Sequence, residues 1–154
     1  MDRDFVYYLR VRYGECDAQK VVFNARYGEY ADLAVTEFFR ALGYGAELAS
    51  GELDYQLVRQ VIEWKAPARF DQVVAIAVST LRLGTTSFSL RCEFSLAGNA
   101  AVIATVETVY VLVDTHTLTK RALPEPLRAA LQRGAPGLSA DHAQYRASVS
   151  DGAT

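Results

Sequence analysis

Residues 13–42 read YGECDAQKVVFNARYGEYADLAVTEFFRAL, and this stretch decides the fold. Its second half has a helical period. Tyr27, Tyr30, Ala31, Ala34, Phe38 and Leu42 fall on one face, with Glu29, Thr36 and Arg40 opposite. Asn24 is placed to cap the start, and Gly43 and Gly45 supply the stop. The helix so defined is about 18 residues long, roughly 27 Å. Such a broad apolar face has to be buried against another element.

What flanks the helix is strand. Phe5, Tyr7, Leu9, Val11 and Tyr13 alternate with a series that includes Arg10 and Arg12. Downstream, strands are expected over Tyr55 to Lys65, Gln72 to Leu83, Thr86 to Leu96 and Ala101 to Asp114, with a short piece near Thr119 to Ala122. Turns are signalled at Gly84-Thr85 and Gly98-Asn99. The segment from Ser87 is the clearest: Phe88, Leu90, Cys92, Phe94 and Leu96 point one way, Ser87, Ser89, Arg91, Glu93 and Ser95 the other. A short helix is expected with Pro124 near its first position. The plan is α+β: a curved antiparallel sheet of about five strands wrapped around one long central helix.

The 154 residues leave room for one domain, taken as 1–133. Beyond Gly134 large apolar residues are few, and 134–154 is expected to be a mobile C-terminal tail. A net charge of −2 gives no reason to expect a nucleic-acid or membrane surface. No apolar run approaches the roughly 20 residues of a membrane span. Cys16 and Cys92 lack metal-type spacing, and the chain start lacks a signal-like pattern, so a reduced, cytoplasmic setting is expected.

Several chemistries lack a foothold. The two histidines, His116 and His142, lie at a strand-end turn and in the tail, so neither a Ser-His-Asp hydrolase nor a histidine-based dehydratase finds a base. No H-E-x-x-H, C-x-x-C, G-x-G-x-x-G or P-loop occurs, and no metal or cofactor is expected. Asp17 stands out instead, because it lies just ahead of a helix start. A helix N-terminus offers unpaired NH groups and partial positive charge, able to stabilise an oxyanion during acyl transfer. A nearby carboxylate could then attack or activate water. An aspartate in a polar loop can equally be a turn or capping residue.

The same residues resemble the 4-hydroxybenzoyl-CoA thioesterase family, especially its YbgC-type branch of small bacterial acyl-CoA thioesterases with the hotdog fold. The family pattern is a strand, then D-x-x-G-V-V-F/Y-H/N-x-x-Y, then a long central helix; this chain reads D-A-Q-K-V-V-F-N-A-R-Y. The likeness extends to WKAPARFDQ, GTTSF and KRALPEPLRAAL, covering about residues 5–133. It implies that Asp17 is the catalytic carboxylate, either attacking the thioester or activating a water. It also implies that the backbone NH of Asn24 polarises the carbonyl and that Tyr27 lines the pocket, although Tyr27 is equally readable as core.

By the same likeness Asp32 contacts the far end of the substrate or is a solvated acid, and Tyr55 lines the acyl pocket from a neighbouring subunit. Thr85, Thr86 and Ser87 would lie beside the pantetheine, and Lys120 and Arg121 near the phosphates, where their charge and donor count suit. The departure is Lys20, which stands where the family has glycine. Glycine serves where the backbone needs positive φ or close approach to a ligand. Either the turn tolerates a side chain, or an ammonium sits near the entrance.

The resemblance implies hydrolysis of an acyl-CoA to free acid and CoA, with CoA as part of the substrate rather than a cofactor. The expected assembly is a homo-oligomer, a dimer at least and a tetramer as the favoured form. Two alternatives remain: a thioesterase acting on acyl-carrier-protein thioesters, and a non-catalytic carrier of a small ligand.

Overall fold

The alternation in residues 5–11 does what a period of two requires, whereas Tyr13, expected in the same series, lies past the strand in the 3-10 turn Tyr13–Glu15 and is 81% exposed. In β1, Phe5–Arg10, the side chains of Phe5, Tyr7 and Leu9 are all buried. The structure, a computed structural model, describes residues 4–146. After β1 come α1, Arg26–Ala41; a short α2, Gly45–Ser50; and the long strands β2, Tyr55–Trp64; β3, Val73–Leu83; β4, Ser87–Leu96; and β5, Val102–Leu112. A helix α3, Glu125–Arg133, and a strand β6, Ser139–Asp141, close the described chain. The sheet order is β2-β5-β4-β3-β1-β6, antiparallel throughout except that β6 runs parallel to β1.

The central helix packs against β1, β3 and β5. Its buried face is Tyr27, Tyr30, Ala31, Ala34, Val35, Phe38 and Phe39, wider than the expected stripe by Val35 and Phe39. Aromatic rings lock it to the sheet: Phe38 on Phe5 at 5.8 Å, Phe39 on Phe88 at 5.6 Å, Tyr27 on Phe94 at 5.4 Å. Each fully buried side chain of this size contributes about 1.5–3 kcal/mol, so the shared core rather than helix propensity holds α1 in place.

Four expectations are corrected. Asn24 does not cap the helix: the N-cap is Ala25, with no side-chain cap bond, and the entry is a turn in which the Arg26 amide donates to the Phe23 carbonyl. Thr119 to Ala122 is not a strand, because only Lys120 bridges back to Val113. The sheet has a sixth strand, and it makes the sheet mixed. Finally, residues 134–146 are packed structure rather than tail, so the domain does not end at 133. Ala135 and Ala143 are buried, β6 pairs with Val6–Tyr8, and the His142 amide donates to the Tyr8 carbonyl. Ser-Ala-Asp is too short and too small to show a period, which is why backbone pairing alone defines it. Residues 147–154 of the expected tail lie outside the described residues.

Candidate active site

Asp17 sits in a tight hairpin-like turn that leads the chain into α1. Its amide donates to Val21 O at 2.9 Å, and the Lys20 amide returns to Asp17 O at 2.9 Å. Closing the turn puts Lys20 at φ 65°, the left-handed conformation for which a glycine would be the unstrained choice. One leg is braced from outside: Val21 bridges Arg69, and the Val22 amide donates to Ala68 O. Asp17 is half-buried; its Oδ1 accepts the Gln19 amide at 2.8 Å, while Oδ2 has no partner among the described residues.

A cavity of about 720 Å³ opens beside this carboxylate, lined by Asp17, Gln19, Phe23, Asn24, Tyr27 and Trp64 among others. Here the helix entry supplies polar groups. The amides of Asn24 and Ala25 have no protein acceptor among the described residues. The Trp64 indole NH donates to Asn24 O at 3.1 Å, which holds the Asn24–Ala25 peptide plane and thereby aims the Ala25 N–H the opposite way. The cavity therefore combines a carboxylate with a free oxygen, Asn24 with its unpaired amide at the helix entry, and apolar walls, the parts that acyl transfer requires.

Three of the sequence-predicted residues, Asp17, Asn24 and Tyr27, meet in this cavity. Tyr27 is buried in the aromatic core and also lines the wall of this cavity. Burial raises its phenol pKa, opposed by a hydrogen bond with the Ala68 backbone. Asp32 and Tyr55 form a second group. Tyr55 is pushed up to about 12, mainly by burial and then by the charges of Asp32 and Asp54. Its ring packs on Tyr110 at 5.0 Å and Phe39 at 5.3 Å. Neither residue lines the Asp17 cavity.

Thr85, Thr86, Ser87, Lys120 and Arg121 form a third group at one end of the sheet. Thr85 O and Thr86 O accept the amides of Leu123 and Leu112, and the Arg121 amide donates to Leu112 O. Gly84 turns so tightly that an added Cβ would stand 2.5 Å from Ser87 Oγ. Lys120 and Arg121 are both exposed, with Arg121 Nη1 donating to Glu52 O at 3.3 Å. This group does not line the Asp17 cavity either.

One residue of the cavity wall, Trp64, and one outside it, Glu15, are not singled out by the sequence. Trp64 lay inside the quoted WKAPARFDQ, and being the one tryptophan of the chain was its only signal. Glu15 lay inside the deciding stretch, where a charge ahead of a turn reads as solvated. It is instead 6% exposed, and its Oε1 accepts the phenol of Tyr30.

Residues 11–131 match the profile of the thioesterase-like superfamily. The acyl-CoA thioester hydrolase YbgC of Escherichia coli is 29% identical over 126 residues, 81% of this chain and 93% of that protein. A 1,4-dihydroxy-2-naphthoyl-CoA hydrolase of Synechococcus elongatus is 27% identical over 134 residues, 84% of this chain and 96% of that one. Among solved structures, a gentisyl-coenzyme A thioesterase superposes with a TM-score of 0.72 at 30% identity, over 82% of this chain and 98% of its own. A Pseudomonas aeruginosa protein reaches 0.80 at 24% identity, over 89% and 95%, which speaks to the fold alone. With its central helix laid on a mixed six-stranded sheet and its match over residues 11–131, the chain belongs to the thioesterase-like superfamily, as a hotdog-fold thioesterase of the YbgC type.

Proposed function

We propose that the protein hydrolyses an acyl-CoA to the free acid and CoA, with Asp17 as base or nucleophile and the amide of Asn24 polarising the thioester carbonyl. The observation that carries this reading is the half-buried Asp17 carboxylate, with one unpaired oxygen, on the wall of a cavity that also contains the entry of α1. With Asp17 as base, the carboxylate takes a proton from water, the hydroxide adds to the carbonyl carbon, the C–S bond breaks and the proton passes to the departing thiolate. With Asp17 as nucleophile, the carboxylate adds to the carbonyl carbon, and the C–S bond breaks to release CoA as its thiolate and leave a mixed anhydride. Water cleaves the anhydride to the free acid and the Asp17 carboxylate, its proton passing to CoA. In both routes the growing negative charge on the carbonyl oxygen meets the helix-entry amides.

The working unit in this reading is a homo-oligomer, a dimer at least and a tetramer as the favoured form. Asp32 and Tyr55, and the group around Thr85, Thr86, Ser87, Lys120 and Arg121, would then reach a neighbouring Asp17 cavity across a subunit boundary, the last two meeting the phosphates of CoA. Support comes from β2, a sheet edge that leaves Leu57, Val58 and Trp64 exposed. The test is turnover of acetyl-, hexanoyl-, palmitoyl- and benzoyl-CoA, each compared with the matching acyl-carrier-protein thioester. Asp17→Asn is expected to lower kcat by about 10² to 10⁴ with its circular dichroism unchanged. Undiminished hydrolysis by that variant removes Asp17 from the reaction, and turnover confined to carrier-protein thioesters replaces CoA as the substrate.

A further inference from the structure

A second carboxylate lies two residues before Asp17, and the proposed reaction makes no use of it. Glu15 is the one buried charged residue among the described residues, at 6% exposure. Its Oε1 accepts the Arg12 amide at 2.7 Å and the Tyr30 phenol at 2.9 Å, and its Oε2 accepts Arg12 Nη2 at 2.9 Å. Its own carbonyl accepts the Phe23 amide at 3.0 Å, one residue before Asn24. Tyr30 in turn is 1% exposed on the buried face of α1.

These bonds join three pieces of backbone: the turn that ends at Asp17, the residue that precedes Asn24, and the body of α1. Backbone pairing fixes Asp17 relative to Val21 and Lys20, Cys16 to Val22 and Glu15 to Phe23, and so reaches only the residues before α1. The Glu15 side chain adds the bond that carries on to Tyr30 in the body of the helix. We propose that Glu15, acting through Tyr30, is a positioning residue that holds the Asp17 carboxylate in register with the entry of α1; this rests on the reading of Asp17 as the group that acts on the thioester. Reacting groups lose rate steeply when displaced by about 1 Å, so a tether of this kind acts on turnover more than on binding. A carboxylate suits the task because it accepts from three donors at once. A glutamine would offer one oxygen to them and turn its amide hydrogens on the rest.

The experiment measures kcat and KM on the acyl-CoA of the same panel turned over fastest, at a temperature well below melting, for the unaltered chain, Asp17→Asn, Tyr30→Phe, Glu15→Gln and the double variant Tyr30→Phe/Glu15→Gln. Thermal melting is recorded for each. Tyr30→Phe and Glu15→Gln are each expected to lower kcat by between about tenfold and a hundredfold with KM nearly unchanged. The double variant is expected to be no slower than the slower single one, since both cut the same tether. A lowered melting temperature with kcat retained makes Glu15 a stability element only and overturns the proposal. So does an effect confined to KM, or losses that multiply in the double variant. Should Glu15→Gln fail to fold, Tyr30→Phe, which removes a single hydroxyl, decides alone. Full activity in Asp17→Asn sinks the Asp17 reading together with this one; an inactive Asp17→Asn beside a fully active Tyr30→Phe sinks the tether and leaves Asp17 standing.

Discussion

Lys20 carries a left-handed backbone where the resembled family has glycine, and the turn around Asp17 is built on it. Of its two readings the structure favours the tolerant turn: its side chain is exposed and does not line the cavity, while its amide donates to the Asp17 carbonyl. Lys20→Gly is therefore expected to raise stability by up to about 1 kcal/mol in urea unfolding, the relief of left-handed strain offset in part by a freer unfolded chain. Lys20→Ala keeps the Cβ and should leave the midpoint near its starting value. Glu15 makes the opposite kind of contribution. Burial works against its ionisation, but bonds from the Arg12 side chain, the Arg12 amide and the Tyr30 phenol outweigh it and hold the carboxyl below its usual 4.5. A carboxyl whose pKa falls on folding stabilises the protein above its unfolded pKa, and that stabilisation drains away as pH drops through the folded value. The urea midpoint should accordingly fall as the pH drops below the ordinary carboxyl value, and fall less in Glu15→Gln. An equal drop in both proteins would assign the acid sensitivity to other carboxylates.

At the scale of elements, the closing segment is the piece that a local period does not announce. Strand β6 extends the sheet beside β1, Tyr7 OH meets His142 Nδ1 at 3.0 Å, and Arg10 Nη2 donates to Ala143 O at 3.2 Å. Tyr8 stacks on Tyr145 at 5.3 Å. Ending the chain after Gly137 strips these contacts and reopens the β1 edge. The expected cost is about 1–3 kcal/mol in urea unfolding, with turnover largely kept because none of these residues lines the Asp17 cavity. A truncated protein as stable as the full chain would show that β6 is a passive cover. β4 and α1 were legible because each buries one face: β4 alternates residue by residue, and α1 repeats every three or four, whereas α2, which buries no residue, was not expected. Only their edges moved, as with Asn24, where a good capping residue sits one place too early in a turn.

For the whole molecule, the residues expected to serve one reaction fall in three separated groups. Within a single chain Asp17, Asn24 and Tyr27 share a cavity, and the other predicted residues stand elsewhere. Association through the β2 edge would bring two chains' residues together and bury Leu57 and Val58, which are exposed beside a bulge between Leu57 and Arg59. Val58→Glu puts a charge on that edge and is expected to shift the sedimenting species toward the monomer, with turnover falling in step. A monomeric variant with full activity would confine the reaction to one chain. The sequence by itself determined the helix, the four long strands, the α+β plan and the place of Asp17 ahead of the helix, because amphipathic period and turn residues are properties of neighbouring positions. The tertiary structure alone decided that Glu15 is buried under Tyr30, 15 residues on, that Trp64 reaches back 40 residues to Asn24, and that β6 joins β1. Such contacts depend on which surfaces the folded chain brings face to face, and residues so far apart along the chain leave no local pattern to read.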